Sequence, residues 1–210
     1  MLPQKLVAVL LPLPLLALIF VSISYWIVYG KVEKHGSGKQ HICYNRFFLT
    51  LVAIGYLGIW PFWVGGIVLL FLGRYYTAFD FLTFLFPRAS FVPIVGLVVL
   101  YVGSLFFAWA IGFAGKYLRP STSGVYANHR LVQEGPLGIV RHPYYVSYVL
   151  ILVGLSFTLT TIWPLLLALC VVIGMGPTAK AEEEQLAALF GKEYQEYQQR
   201  VGRFFPKLFG

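Results

Sequence analysis

The sequence is poor in cysteine and in charged side chains. Its 210 residues include only two cysteines, Cys43 and Cys170, and only 11% of the residues are Asp, Glu, Lys or Arg. Two isolated cysteines provide neither a disulfide framework nor a Cys/His zinc site with the usual ligand spacing. Because 59% of the residues are hydrophobic, the chain has more apolar surface than a soluble domain of this size could bury. We therefore predict an integral membrane protein.

Motifs of common soluble enzymes are also missing. The glycine-rich pieces at residues 36–38 and 174–176 do not follow a strand in a βαβ unit, so they support neither a Rossmann fold nor a P-loop. A Ser/His/Asp triad cannot be placed either. The net charge of +8 is compatible with nucleic-acid binding, but basic residues between apolar spans more often set membrane orientation and contact anionic headgroups.

Five apolar runs are candidates for crossing a bilayer, which takes about 20 mainly apolar residues. The first lacks a small-residue cleavage pattern before Lys31, so we expect a retained span rather than a signal peptide. Pro12 and Pro14 lie within it, where neighbouring helices can satisfy the carbonyl groups that the prolines free. The last two runs are short and joined at Trp163-Pro164, which predicts a helical hairpin. The runs are 6–29, 47–72, 91–113, 144–160 and 163–176.

The distribution of Lys and Arg predicts the orientation of these spans. One face of the five-span arrangement receives thirteen basic residues and the other receives three, which places the N-terminus outside and the basic loops in the cytoplasm. Residues 1–113 then hold three spans, and residues 114–210 hold the loop, the hairpin and the tail. Residues 74–87 either lie in the interface or lengthen the adjacent spans.

The tail after Pro177 is predicted to form a cytoplasmic amphipathic helix. Apolar side chains recur there at intervals of three and four, which is one helical stripe. This stripe is expected to pack on the ends of the spans, as a lid over residues 129–142, and Gly191 could mark a bend. The stripe consists of Leu186, Phe190, Tyr194, Tyr197 and Val201. The predicted fold is thus an all-α membrane protein with about five spans and this C-terminal helix.

Two polar clusters flank the hairpin. Arg141 and His142 precede Pro143, which suits the first position of a helix. They form either an interfacial anchor with nearby tyrosines or an anion site at a helix N-terminus. Three glutamates, residues 182–184, follow the hairpin and either favour a helix start or turn inward to bind an ammonium or ribose hydroxyls. A hairpin brings both clusters to one membrane surface.

The order of these motifs resembles the isoprenylcysteine carboxyl methyltransferase family. The resemblance covers roughly residues 129–206, and its Arg-His-Pro element is also similar in phospholipid N-methyltransferases, small-thiol methyltransferases and sterol reductases. The matching set is His129-x-Leu131-Val132, Gly135-Pro136, Arg141-His142-Pro143-x-Tyr145, Glu182-Glu183-x-x-Leu186, Phe190-Gly191, Tyr194-x-x-Tyr197, Val201 and Pro206.

The resemblance implies a small membrane methyltransferase that binds S-adenosylmethionine in a cytoplasmic pocket, without a metal. Its partners would be a lipidic small molecule or a lipidated cysteine, together with membrane lipids, and no nucleic acid. The implied catalytic residues are Arg141, His142 and Glu183. The implied cofactor-binding residues are His129, Leu131, Val132, Leu137, His142, Pro143, Tyr144, Tyr145 and Glu182.

Two departures from the family pattern concern ligand recognition. Leu137 stands where the family usually has tyrosine, so the expected contact there with adenosine is apolar. Thr178 stands where the family often has an arginine for the carboxylate of the lipidated cysteine, a role that Lys180 or Arg141 could take.

The sequence thus predicts methyl transfer to a lipidic acceptor, with a prenylcysteine carboxylate as the first candidate. Methylation of a phospholipid amine or of a thiol is the alternative, and an NADPH-dependent membrane reductase is a third possibility. A headgroup anchor without catalysis is the remaining interpretation.

Overall fold

Helices account for most of the described chain in a computed structural model, which describes residues 4–29, 45–74, 91–114 and 131–207. We number them in chain order: α1 Gln4–Leu10, α2 Pro12–Tyr29, α3 Arg46–Phe71, α4 Phe91–Ala114, α5 Pro136–Ile139, α6 Pro143–Leu159, α7 Trp163–Phe190 and α8 Lys192–Arg200.

The predicted all-helical, multi-pass membrane fold is confirmed. Four described segments are long and apolar enough to cross a membrane: Leu6–Ser24, Arg46–Phe71, Phe91–Phe113 and Trp163–Phe190. The fifth predicted span, α6, is a shorter apolar helix of 17 residues, about 26 Å long. Of the segment 74–87, only Arg74 belongs to the described residues.

The two prolines of the first span interrupt its helix at Leu11. Pro14 has no N–H, so the carbonyl of Leu10 lacks its usual helical donor. The hydroxyl of Tyr101 on α4 donates to that carbonyl at 2.8 Å. The indole Nε1 of Trp63 on α3 donates to the carbonyl of Leu11 at 3.1 Å. Neighbouring helices therefore satisfy the interrupted backbone, as the sequence predicted, and they fix the break against α3 and α4.

Helices α4 and α6 are in close backbone contact because glycines face the partner helix. A Cβ atom at Gly154 would lie 2.7 Å from the Cα atom of Leu100 and 2.9 Å from the carbonyl oxygen of Gly96. Small residues allow this kind of approach in membranes, where dispersion forces rather than the hydrophobic effect hold helices together. Helix α6 is consequently enclosed, and Ile151 and Leu155 are almost completely buried.

Helix α7 packs against α3 in a similar way. A Cβ atom at Gly174 would lie 2.6 Å from the carbonyl oxygen of Phe48. The α6–α7 hairpin therefore joins two closely packed helix pairs. Its turn is made by Thr160, which has a left-handed φ of 50°.

The predicted start of a separate tail helix at Pro177 is wrong. Helix α7 continues through Pro177 as far as Phe190. The proline removes one helical hydrogen bond, but the buried residues Gly174, Thr178 and Ala179 pack the helix on both sides of it. At 28 residues, α7 is about 42 Å long. It ends at Gly191, which has a φ of 53° and produces the bend that the sequence suggested.

Substitution of Gly154 by alanine is expected to separate α4 from α6. The new methyl group would overlap the backbone of Leu100, and overpacking of this kind costs about 1–3 kcal/mol. Thermal unfolding in detergent measures the loss. Gly112→Ala is the matched control, because a Cβ atom there has no neighbour within 4 Å. Equal midpoints for the two variants would contradict the close packing.

Candidate active site at the end of the hairpin

The hairpin brings the two polar clusters together. His142 lies immediately before Pro143, the first residue of α6, while Glu182 and Glu183 lie on α7, about 30 Å along that helix from Trp163. The imidazole Nε2 of His142 lies 3.0 Å from Oε1 of Glu183, and Nδ1 lies 3.3 Å from Oε2 of Glu182. One buried histidine thus contacts two adjacent carboxylates.

Glu183 is the most enclosed of the three glutamates, with 4% of its side chain exposed. Nε and Nη2 of Arg141 both lie 3.0 Å from its Oε1. Nη1 of Arg141 donates to the carbonyl of Gln198 at 3.2 Å and also to that of Val201. The guanidinium of Arg141 is therefore paired with protein groups, and it ties the loop before α6 to both α7 and the tail.

A C-terminal strap, residues 201–205, adds a second cation that sequence reasoning missed. Nε and Nη2 of Arg203 lie 3.0 and 2.6 Å from the two oxygens of Glu183. The amides of Arg141 and His142 donate to the carbonyls of Gly202 and Arg203 at 2.8 and 3.1 Å. The strap therefore holds His142 in two ways. Its backbone bonds the His142 amide directly, and its Arg203 side chain fixes Glu183, which in turn contacts the imidazole. The sequence signal for it is weak: one arginine before two phenylalanines.

Glu182 differs from its neighbours because it is partly open. The hydroxyl of Tyr145 donates to its Oε1 at 2.9 Å, and 12% of its side chain is exposed. The ring of Phe204, from the strap, lies 5.7 Å from the ring of His142 and 6.3 Å from that of Tyr145. Glu184, in contrast, is 68% exposed and lies 3.8 Å from Lys180. Two of the three glutamates thus face inward.

The pKa of His142 reflects two opposing effects. Burial by itself lowers the pKa of the imidazole, but hydrogen bonds to Glu182 and Glu183 outweigh burial and raise the pKa above its ordinary 6.5. The charged imidazolium is therefore favoured between the two carboxylates.

The remaining predicted site residues lie at different places around this cluster. Leu131 packs against Tyr194, Tyr197 and Val201, so the tail stripe covers the described part of the loop as predicted. Val132 is partly buried and Pro143 is buried. His129 lies outside the described residues.

Two of the residues predicted to contact the cofactor, Leu137 and Tyr144, also form hydrogen bonds within the protein. The carbonyl of Leu137 accepts a hydrogen bond from the hydroxyl of Tyr197 at 2.6 Å. The hydroxyl of Tyr144 donates to the carbonyl of Ala110 on α4 at 3.3 Å, which directs this tyrosine toward the span rather than toward Glu182.

Known proteins match the part of the chain that holds α4 to α7. Residues 91–193 match a family model described as phospholipid methyltransferase. Over 82 residues, or 39% of this chain and 38% of the other, the sequence is 35% identical to the cobalt-zinc-cadmium resistance protein CzcN of Cupriavidus metallidurans. The chain therefore spans well under half the length of that relative.

A solved structure shares the fold. The eukaryotic intramembrane Ras methyltransferase ICMT, isoprenylcysteine carboxyl methyltransferase, superposes with a TM-score of 0.53 at 23% identity, covering 73% of this chain and 51% of that chain.

The fold and the site together define a multi-pass helical membrane protein with a buried His/Glu/Arg cluster where a helical hairpin opens. The match assigns residues 91–193 to the phospholipid methyltransferase family. The family resemblance recognised in the sequence is thus confirmed. The matched region contains α4 to α7, whereas α1 to α3 and the C-terminal strap lie outside it.

The raised pKa of His142 predicts a pH-dependent stability. A proton bound more tightly in the folded state stabilises that state fully below the ordinary pKa of 6.5, and the contribution is lost as pH rises through the raised value. The stability difference between wild type and His142→Gln should therefore shrink with increasing pH. Unfolding in detergent at a series of pH values measures it, and a difference that grows with pH would contradict the assigned partners.

Arg141 and Arg203 should differ in their contributions to stability. Arg141 is 9% exposed and Arg203 is 38% exposed. Arg141→Met should cost about 3–5 kcal/mol, as expected for a broken buried pair. Arg203→Met should cost about 1 kcal/mol, because water can replace the guanidinium. Lys180→Met, which removes an exposed cation, is the control, and equal losses for all three variants in chemical unfolding would refute this ranking.

Proposed function

We propose that this chain is an S-adenosylmethionine-dependent methyltransferase that acts on a lipidic acceptor at the membrane surface. The observation that supports this most strongly is the contact of His142 with Glu182, 3.3 Å apart, within a region that matches a methyltransferase family model. The same contact joins the loop that enters α6 to the helix that returns from the membrane.

The residues present fit the chemical groups of the proposed cofactor. Glu182, the partly open carboxylate, suits an ammonium or ribose hydroxyls. The N-terminus of α6, at Pro143, carries the positive end of the helix dipole, which suits a carboxylate. The rings of Tyr145 and Phe204 provide aromatic surfaces for an adenine or a sulfonium. Leu131, Val132, Leu137, Pro143 and Tyr144, together with His129, complete the proposed cofactor-binding set.

Within the proposed catalytic set, Arg141 and Glu183 act through His142. Arg141 is already paired with Glu183 and with backbone carbonyls, so its proposed role is to position the loop. Glu183 in turn fixes the imidazole ring at 3.0 Å. Both ring nitrogens of His142 are paired with carboxylates, so Glu182, with its open edge, is the group that faces a ligand.

When bound, S-adenosylmethionine supplies an electrophilic methyl group, which transfers in line to the acceptor while the sulfonium becomes a neutral thioether. The residues of this chain would contribute alignment and exclusion of water, which are proximity and desolvation effects. A carboxylate acceptor is already ionised and needs no base. An amine or a thiol must lose a proton, and the carboxylate of Glu182 is the candidate base for it, because His142 already favours its charged form.

A prenylcysteine carboxylate stays the first proposed acceptor, and phospholipid amines or thiols are the alternatives. Three observations require that these acceptors be tested together. Thr178 is buried, with its hydroxyl donating to the carbonyl of Gly174 at 2.7 Å, and Lys180 lies at the surface beside Glu184. The family model, moreover, is described by its phospholipid substrates.

Because Lys and Arg are concentrated on the side of the spans that carries this site, we propose that the site faces the cytoplasm.

Calorimetry on the purified protein tests the cofactor assignment. Wild type should bind S-adenosylmethionine and its demethylated product, and should not bind NADPH, which the reductase alternative requires. Glu182→Gln should weaken binding by at least about tenfold, since a hydrogen bond to a charged group is lost. His142→Ala should have a similar effect, because Glu182 then loses the imidazole that positions it.

Glu184→Gln is the matched control, because it changes the exposed neighbour of the same helix. Near-normal affinity in both site variants would refute the pocket. If wild type binds none of the three ligands, the result would favour a headgroup anchor.

A further inference from the structure

Two tyrosines from different helices meet just inside the polar cluster. Tyr56 on α3 and Tyr148 on α6 have ring centroids 3.9 Å apart, with their planes inclined by 32°. Both side chains are partly buried, and among the residues that the structure describes neither hydroxyl has a hydrogen-bond partner. A phenol hydroxyl enclosed in a protein usually has such a partner. The pair is therefore available to a ligand.

Both hydroxyls are expected to face the polar cluster. Helix α6 begins at this cluster, and α3 begins near it, because Gly174 of α7 packs against the carbonyl of Phe48. Long side chains lean toward the start of their own helix. In agreement with this direction, the hydroxyl of Tyr56 interacts electrostatically with both Tyr148 and Glu182.

The pair also lies beside a position where the chain departs from the family that it resembles. Tyr56 packs against a cluster that includes Tyr145 and Ala179, and Ala179 directly follows Thr178 on α7. Thr178 stands where the resemblance places an arginine for the carboxylate of the acceptor. Two hydrogen-bond donors are thus close to a position that lacks its expected cation.

The cations that could replace this arginine are engaged with other groups. The side chain of Lys180 is 69% exposed and lies 3.8 Å from Glu184. Arg141 bonds Glu183 and two backbone carbonyls, and Arg203 contacts both oxygens of Glu183. Within the described part of the site, neutral donors are therefore left to form hydrogen bonds with an acceptor carboxylate.

Neutral donors suit this place because the surroundings are already positive. The cluster holds three cations, Arg141, His142 and Arg203, against the two carboxylates of Glu182 and Glu183. The proposed cofactor adds a sulfonium. Hydrogen bonds together with nearby positive charge offset the cost of removing a carboxylate from water.

We propose that the hydroxyls of Tyr56 and Tyr148 bind the carboxylate of the methyl acceptor. The proposal rests on the proposed function, and it specifies the acceptor as a carboxylate rather than an amine or a thiol. It also gives α3, which lies outside the region matched by the family model, a direct part in substrate recognition.

Removing each hydroxyl while keeping its ring tests this assignment. Methyl transfer from labelled S-adenosylmethionine to acetylated S-farnesyl cysteine is measured for Tyr56→Phe and Tyr148→Phe. Each variant should lower kcat/KM for the acceptor by at least about tenfold, because a hydrogen bond to a charged group is lost. The calorimetric affinity for S-adenosylmethionine should stay unchanged. Tyr101→Phe is the matched control, since its hydroxyl bonds the carbonyl of Leu10, and it should change neither quantity.

Binding without turnover separates this proposal from the proposed function. Wild type should bind acetylated S-farnesyl cysteine at least about tenfold more tightly than the corresponding carboxamide, because the amide lacks the charge. Tyr56→Phe and Tyr148→Phe should lose this preference. Both variants should unfold at the wild-type midpoint, since neither hydroxyl has a partner among the described residues.

The possible results separate the two proposals. A preference for the acid that depends on both hydroxyls, without methyl transfer, would refute the proposed function and support the carboxylate site. Methyl transfer that is unaffected in either tyrosine variant would overturn the paired site and leave the proposed function intact. Transfer to phosphatidylethanolamine alone, or equal affinity of wild type for the acid and the carboxamide, would also overturn the carboxylate site.

Discussion

The site depends on one buried carboxylate, Glu183. Removing a charge from water is costly, and the cost is offset only if opposite charges and hydrogen bonds surround it. Here Arg141, His142 and Arg203 all lie within 3.0 Å of the Glu183 oxygens. These partners come from the loop before α6 and from the C-terminal strap, while Glu183 comes from α7. A requirement for charge compensation thus joins three segments that are distant in sequence.

This compensation separates the roles of neighbouring residues. Glu183 is fully paired with protein groups, whereas Glu182, one position earlier, keeps an open edge beside Tyr145 and Phe204. The enclosed carboxylate fixes the histidine, and the open one is available to a ligand. Because Glu183 and its partners already hold these segments in place, Glu182 loses little conformational freedom when a ligand binds. The proposed transfer chemistry, which relies on alignment, benefits directly from such rigidity.

The helices show how packing supports the site. Contacts at Gly154 and Gly174 bring α6 against α4 and α7 against α3, so the hairpin is held on both sides. The break at Leu11 is fixed by Trp63 and Tyr101, which holds the first span against α3 and α4.

The sequence by itself determined the membrane class, the spans, the hairpin and the convergence of the Arg141 and Glu182 clusters, because these follow from local hydropathy and chain connectivity. Tertiary structure alone decided that α7 runs through Pro177, since packing of Thr178 and Ala179 outweighs the lost hydrogen bond. It also decided that Arg141 pairs inward and that Arg203 joins it. Which cation meets a buried carboxylate depends on distances between segments far apart in the chain, and local pattern does not contain those distances.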